Sequence, residues 1–587
     1  MILKLFFRTP FLIAFSFTKS FFYKMKCFYS SHIKSYNTFK VLLFLYTCIF
    51  FSHCQAPKLE NPCDSRSNAF WETIALKSLL GDTSNLCGFS LTNPPSLPLK
   101  WEAQAYIKAP NTEAGDQFSY SISISGDTIV VGARYEDSNQ TTITNGSTAS
   151  ANNSAVLAGA AYVFHRTGSN WEQQAYLKAS NIESQDEFGK SVSISGDTIV
   201  VGAVGEERNQ TTITNGSTAS ANISASNSGA AYVYQRNGTT WTQQAYLKAP
   251  NAGDNDEFGK SVSISGDTIV IGALGEDSNQ TTITNGTTGS ADNSATDAGG
   301  VYVFQRTGRN WIQQAYLKAP NSNAFDRFGS SVEISGDTIV VGSPDEDSSL
   351  TTIINGATAD ADNSAVDSGG AYVFQRTGTT WSQQAYLKTP NAESNDKFGS
   401  SVSISKDTIV VGAPFEDSNQ TTISNGSTAS VNNSFLNSGA AYVFHRTGAT
   451  WVQQAYLKAE NTNQGDDFGR SVSIFGDTIV VAARLEDSNQ NTITNGTTAS
   501  ADNSISSSGA VYVFQRTGTN WEQQAYLKAP NADPGDQFGF ATAISGNTIA
   551  VGAYLEGSNQ NTITNGSTAS SDNSAVNAGA AYVFIRK

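Results

Sequence analysis

Histidine, cysteine and methionine are scarce in this chain of 587 residues, which holds four, five and two of them. All five cysteines, Cys27, Cys48, Cys54, Cys63 and Cys87, lie in the first 87 residues. No CxxC pair and no Cys/His cluster exists, which removes zinc and dithiol redox motifs. Only 15% of residues are charged, while Gly, Ser, Thr and Asn abound. That composition suits short strands and many turns rather than helices. The apolar run Val41–Phe51 has 11 residues. It is too short to span a bilayer and fits the apolar region of a signal peptide.

Charge is divided unevenly along the chain. Residues 1–53 carry seven Lys/Arg and no Asp/Glu, which leaves 29 basic against 51 acidic residues in the remainder, a net of −22. A body this acidic repels nucleic acid and anionic membrane surfaces, and it favours solubility. Lys26, Lys34 and Lys40 form a basic segment ahead of the apolar run when translation starts at Met25. A start at Met1 would give an unusually long leader, so 1–53 reads as a leader with its start at Met25. The run ends at Phe51-Ser52-His53-Cys54, which resembles a relaxed bacterial lipobox. On that reading Cys54 is lipidated and anchors the protein to a membrane; the alternative is an ordinary signal peptide.

Residues 54–99 read as a tether. Ser67–Leu80 has the spacing of one short amphipathic helix stopped by Gly81, and Asn93–Pro98 is a stiff Pro-rich linker. Cys63 and Cys87 read either as a disulfide or as two free thiols.

From residue 100 the chain is periodic. Tryptophan stands at 101, 171, 241, 311, 381, 451 and 521, a spacing of 70 each time. Such a period outranks every other fold signal. In the second unit Trp171–Lys178 is one strand and Ser191–Ser195 alternates polar and apolar residues. Gly196-Asp197 then makes a two-residue turn into Thr198–Ala203, pairing Ile194 with Ile199 and Val192 with Val201. Ala230–Arg236 is the fourth strand. Seven units of four antiparallel strands predict an all-β, seven-bladed β-propeller over 100–587. The phase of the repeat predicts its closure. The unit ending at Ala580–Lys587 has no following Trp strand, so Lys100–Lys108 is expected to complete it and remove two exposed sheet edges.

Phe188-Gly189, Ser191–Ile194 and Gly202-Ala203 resemble the FG-GAP repeat of integrin α-subunit propellers, with the fullest match from Phe398-Gly399 to Gly412-Ala413-Pro414. Some units depart from it: Phe118-Ser119 in the first, Gly342-Ser343-Pro344 in the fourth, Ala482-Ala483 in the sixth. The resemblance implies a propeller used for extracellular binding. Calcium loops of that family do not carry over, because a turn such as Gly196-Asp197 or Gly266-Asp267 is too short to wrap a cation.

The remaining constellations are modest. Each unit has a Ser/Thr/Asn-rich loop of about 25 residues. In the third unit Glu276, Asp277 and Asp292 read either as a calcium site or, preferably, as parts of a surface excursion in which Thr281–Gly286 forms a small Asn-Gly hairpin. Elsewhere Asn152, Asn222 or Asn432 replaces the third acid. Triplets such as Asn139-Gln140-Thr141 and Asn145-Gly146-Ser147 read as turn chemistry in a bacterial lipoprotein and as glycan acceptors in a eukaryotic protein. Asp186, Glu206 and Arg236 have an equivalent in every unit and read either as blade-locking ion pairs or as solvated charges. His165 and His445 replace Gln of other units and read as surface strand residues rather than bases.

No catalytic residue, metal site or cofactor is therefore expected. The expected protein is a monomeric, lipid-anchored surface module that presents a propeller face to an extracellular protein or glycan, without nucleic acid as partner. A polysaccharide hydrolase or lyase in the channel and a coat protein without specific ligand are the alternatives.

Overall fold

The computed structural model describes residues 99–218 and 224–587. The leader, Cys54, the Cys63 and Cys87 pair and the tether helix lie outside the described residues. Among the described residues no helix is long and apolar enough to cross a membrane.

Seven antiparallel sheets make up the domain. In the second sheet the innermost strand is Phe188–Ser195, followed outward by Thr198–Ala203, Ala230–Asn237 and Thr240–Leu247. The two-residue turn sets the expected register, with Val192 opposite Val201 and Ile194 opposite Ile199. Innermost strands of successive sheets are neighbours all the way round, and the first also neighbours the last, so the seven blades form a closed propeller.

Blades have five strands rather than the expected four. The fifth has two residues, such as Thr214–Asn215, and pairs with the outer edge of the Trp strand through Ala245 and Tyr246. In the third blade Thr284–Asn285 pairs with Tyr316 and Ala315, so Thr281–Gly286 forms no local hairpin. The Trp strand carries unpaired backbone on its outer side, and a short segment of the long loop covers that edge.

The ring closes as the phase of the repeat demands. Trp101–Ile107 pairs antiparallel with Ala580–Arg586, from Trp101 opposite Arg586 to Ile107 opposite Ala581. Backbone bonds between Lys100 and Lys587 run in both directions, at 2.8 and 2.9 Å.

Apolar packing lies between blades. Val130, Ala161 and Val163 of the first blade pack with Val192, Ile194, Ile199 and Val201 of the second. Four polar devices repeat around the ring. The outer strand pair contains a bulge at the second Gln of Gln-Gln-Ala-Tyr-Leu, for example at Gln244, between Val233 and Tyr234 of the partner strand. The bulge re-aims that side chain, and Trp311 Nε1 of the next blade donates to Gln244 Oε1 at 2.8 Å. The Asn of each two-residue strand clamps the next Trp: Trp241 N donates to Asn145 Oδ1 at 2.7 Å and Asn145 Nδ2 donates to Trp241 O at 3.2 Å. Each Arg of the third strand lies over the Trp beside it, as Arg236 does over Trp241 at 5.2 Å. Lastly, every blade buries a Lys–Glu pair, such as Lys178 Nζ–Glu136 Oε2 at 2.9 Å.

Candidate functional site at one mouth of the channel

Repeated polar residues account for most of the constellations seen in the sequence. Glu206 does not pair with Arg236. It receives Lys248 at 3.0 Å and the Tyr246 hydroxyl at 2.8 Å, buried. Arg236 instead meets Asp197 of the turn at 2.6 Å, and reaches Thr128 Oγ1 of the preceding blade at 3.0 Å. Asp186 caps a turn by accepting Glu183 N at 2.8 Å, and burial pushes its carboxyl up to about 8. The three residues thus serve three separate contacts. Glu276, Asp277 and Asp292 are divided in the same way: Glu276 holds Lys318, Asp277 accepts Asp297 N, and Asp292 accepts Ser294 N. Among the described residues no three His, Cys, Asp or Glu side chains are placed to hold a metal ion. His165 and His445 sit 3.2 and 3.3 Å from Thr128 and Thr408, the place taken by Gln in four other blades, as Gln235 does beside Thr198. A shallow depression lined by Pro250, Gly253, Thr288 and Gly289 contains no charged side chain.

The two mouths of the channel differ. At one, the turns between the innermost two strands carry Asp127, Asp197 and their equivalents, each held by the Arg of the same blade. At the other, the chain enters the innermost strand at the residue after Phe-Gly and leaves the second strand just past Gly-Ala. Those two positions are not uniform. The first is Tyr120, Lys190, Lys260, Ser330, Ser400, Arg470 and Phe540 in successive blades; the second is Arg134, Val204, Leu274, Pro344, Pro414, Arg484 and Tyr554.

In one sector these variable residues meet. Tyr120 of the first blade lies 4.9 Å from Phe540 and 5.7 Å from Tyr554 of the seventh, centroid to centroid, and Phe540 and Tyr554 are 4.0 Å apart. The Arg134 guanidinium lies 3.9 Å from the centre of the Tyr120 ring and 4.1 Å from that of Tyr135, and Lys190 approaches Tyr120 at 5.1 Å. From the sixth blade Arg470 and Arg484 each stand 5.9 Å from Phe540. All these side chains are half-buried and keep accessible surface. Four cations in this sector face two acids. Glu187 holds Lys190 and Arg134, at 2.8 and 3.7 Å, and Asp467 holds Arg484 at 3.0 Å. The Arg470 guanidinium has neither a carboxylate within ion-pair distance nor a hydrogen bond among the described residues, and burial with Arg484 beside it lowers its pKa.

Two of the three departures from the repeat seen in the sequence, Ser119 and Ala482, flank this sector. In most blades the Gly of Gly-Ala lets the Phe-Gly backbone of the next blade press close. A Cβ at Gly202 would collide with the Gly259 carbonyl, on which Ser191 Oγ donates at 2.7 Å. Where Ala482 stands instead, Ser471 is bonded to Thr542 of the seventh blade, at 2.9 Å. Ser119 replaces the Gly of Phe-Gly at φ 72 and donates from Oγ to Ala580 O at 2.6 Å. The seventh blade is thus seated differently from the others on both sides. Further down the channel wall Glu333 replaces a Ser, and burial pushes it up to about 8.

The repeat itself decides the kinship. FG-GAP repeats match at 101–164, 171–234, 241–304, 311–374, 381–444, 451–514 and 521–584. The chain belongs to the FG-GAP repeat family. These FG-GAP blades have no match among curated proteins. Among solved structures the chain is similar to an acylaminoacyl peptidase in complex with Z-Gly-Gly-Phe-chloromethyl ketone, at 10% identity and a TM-score of 0.34 over 77% of this chain and 50% of that one. It is likewise similar to the Pyrococcus horikoshii acylaminoacyl peptidase, at 10% identity and a TM-score of 0.35 over 78% and 51%. The chain spans about half the length of these structures.

Sequence reasoning missed the mouth cluster. The variable positions were visible, but only the fold brings residues 120, 134, 470, 484, 540 and 554 to one place.

Proposed function

We propose that this FG-GAP protein is a non-enzymatic, monomeric binding module, anchored at a cell surface through Cys54, that presents a channel mouth to an extracellular protein or glycan. One observation carries the reading. In a ring built from near-identical units, aromatic and basic side chains are concentrated in one sector of one mouth, while the repeated polar groups are engaged in holding blades together. Binding sites favour such half-exposed aromatics and arginines. The two repeat histidines are each tied to a threonine, which argues against a general base there.

The test is a binding screen of the full chain against extracellular matrix proteins and glycans, with Tyr120→Lys as control. Lys stands at that position in the second and third blades, so the substitution suits the fold. Binding that Tyr120→Lys abolishes supports the reading. Absence of any binding favours the coat protein, and turnover of a polysaccharide favours the enzyme. Mass spectrometry of the mature N-terminus tests the anchor: a terminus other than lipidated Cys54 overturns it.

A further inference from the structure

Resting on the binding reading above, we infer that the mouth formed by Arg470, Arg484, Phe540, Tyr554, Tyr120 and Arg134 takes an acidic sugar, whose carboxylate meets Arg470 and whose ring lies against the aromatic side chains.

An arginine stays charged in proteins, so an arginine without an acid needs an anion from elsewhere. Arg470 is in that position. Asp467, the acid that acts on it, is held by Arg484 at 3.0 Å, and Arg484 adds repulsion. A planar carboxylate matches the guanidinium fork. The adjacent blade offers an unmatched acceptor. In the first and sixth blades the residue before the Phe receives an arginine: Arg134 Nε donates to Gln117 Oε1 at 2.7 Å, and Arg484 Nε to Asp467 at 3.0 Å. In the seventh blade that arginine is replaced by Tyr554, and Gln537 Oε1 is buried without a partner among the described residues. The uncompensated Arg470 guanidinium calls for a ligand with an anionic group, and the exposed parts of Tyr120 and Tyr554 beside it call for hydroxyl partners. Three half-exposed aromatic rings beside them call for a flat, partly apolar body.

Charge elsewhere narrows the choice further. The acidic body repels long polyanions, which argues against nucleic acid and densely charged chains. It leaves a glycan that is mostly neutral and carries one acidic residue into the mouth. Hydroxyl-rich rings fit the aromatic faces and the Tyr120 and Tyr554 hydroxyls better than a peptide terminus does.

The experiment is calorimetric titration of the full chain with a neutral oligosaccharide ending in one galacturonate, its methyl ester, inorganic phosphate and a short peptide with a free C-terminal carboxylate. Arg470→Ser and Tyr120→Lys are the variants, since Ser330, Ser400 and Lys190 occupy the same positions in other blades. The expected result is saturable binding of the acid sugar, weakened at least tenfold by methyl esterification, by Arg470→Ser and by Tyr120→Lys, with unchanged thermal melting. Equal binding of the ester, or of phosphate or the peptide, overturns the ligand class. Sugar binding that both variants leave intact overturns the site while the binding module stands. If neither these probes nor the wider screen bind, the binding reading itself falls.

Discussion

Lys108 Nζ lies 3.0 Å from Glu556 Oε2, buried, although 448 positions separate the two residues. The same lysine donates to the Gly579 carbonyl at 2.6 Å. In every other blade the equivalent pair joins residues 42 positions apart, as Lys178 and Glu136 do. The first strand therefore brings the seventh blade its outer hydrogen bonds and its buried cation together.

Deleting residues 100–108 is expected to destabilise the whole domain and to promote association, because Ala580–Arg586 would become an open edge. Deleting 55–98 should have little effect on melting. Calorimetry and size-exclusion chromatography of the two deletions check this, and equal melting temperatures would refute it.

Lys178→Met should cost about 3–5 kcal/mol, since it leaves Glu136 buried without a cation. Arg166→Met removes the partner of Asp127, whose side chain is 56% exposed, and the ion-pair part of its loss should stay near or below about 1 kcal/mol. Denaturant titration of both variants ranks them, and a reversed order would refute the assignment of the buried pair as the structural one.

Asn285→Ala removes both bonds of the clamp on Trp381, at 2.7 and 3.1 Å. The Trp381 N–H and C=O are then left without that partner, and a loss of about 2–4 kcal/mol is expected. Asn139→Ala, on an exposed residue of an earlier loop, should stay within about 0.5 kcal/mol of the parent.

The turn-capping aspartates give the domain a pH dependence. Burial raises Asp326 from its ordinary 3.8 to about 8. Between those values the folded state holds a proton that the unfolded chain has lost. The contribution is fully present below pH 3.8 and is lost as pH rises through 8. Asp326→Asn keeps an acceptor for Asn323 N, which donates at 2.8 Å. The variant should match the parent near pH 4 and exceed it near pH 8 by at least about 1 kcal/mol. Parallel melting curves across that range would show that Asp326 does not titrate in it. Lysines such as Lys318, lowered by burial, act in the opposite sense from the higher lysine range downward, and the comparison of variant with parent leaves them constant.

Strands and ring closure were legible because they are local or periodic. Alternation in Ser191–Ser195 and the turn at Gly196-Asp197 fix a register within a few residues, and a constant spacing of 70 fixes the phase. Asn145 reads as part of a turn because its partner, Trp241, stands 96 positions away. Glu206 has an equivalent in every unit, yet its cation, Lys248, stands 42 positions away just past the Trp strand. In one dimension Arg470 and Tyr120 are only departures from the repeat, with nothing to show that they meet. Each replaces a residue at a position open to water in the ring, where packing imposes no identity.

The order in which the ribosome delivers the strands has its own consequence. Trp101–Ile107 emerges before any strand it will pair with, and Ala580–Arg586 follows nearly 480 residues later. At typical rates of about 5–20 residues per second, that interval is on the order of a minute. Six sheets can assemble in turn from material already made, while the earliest strand waits with its backbone unsatisfied. Folding of this domain is therefore timed by its slowest meeting, and a nascent chain stalled before Ala580 would hold a nearly finished ring with one gap.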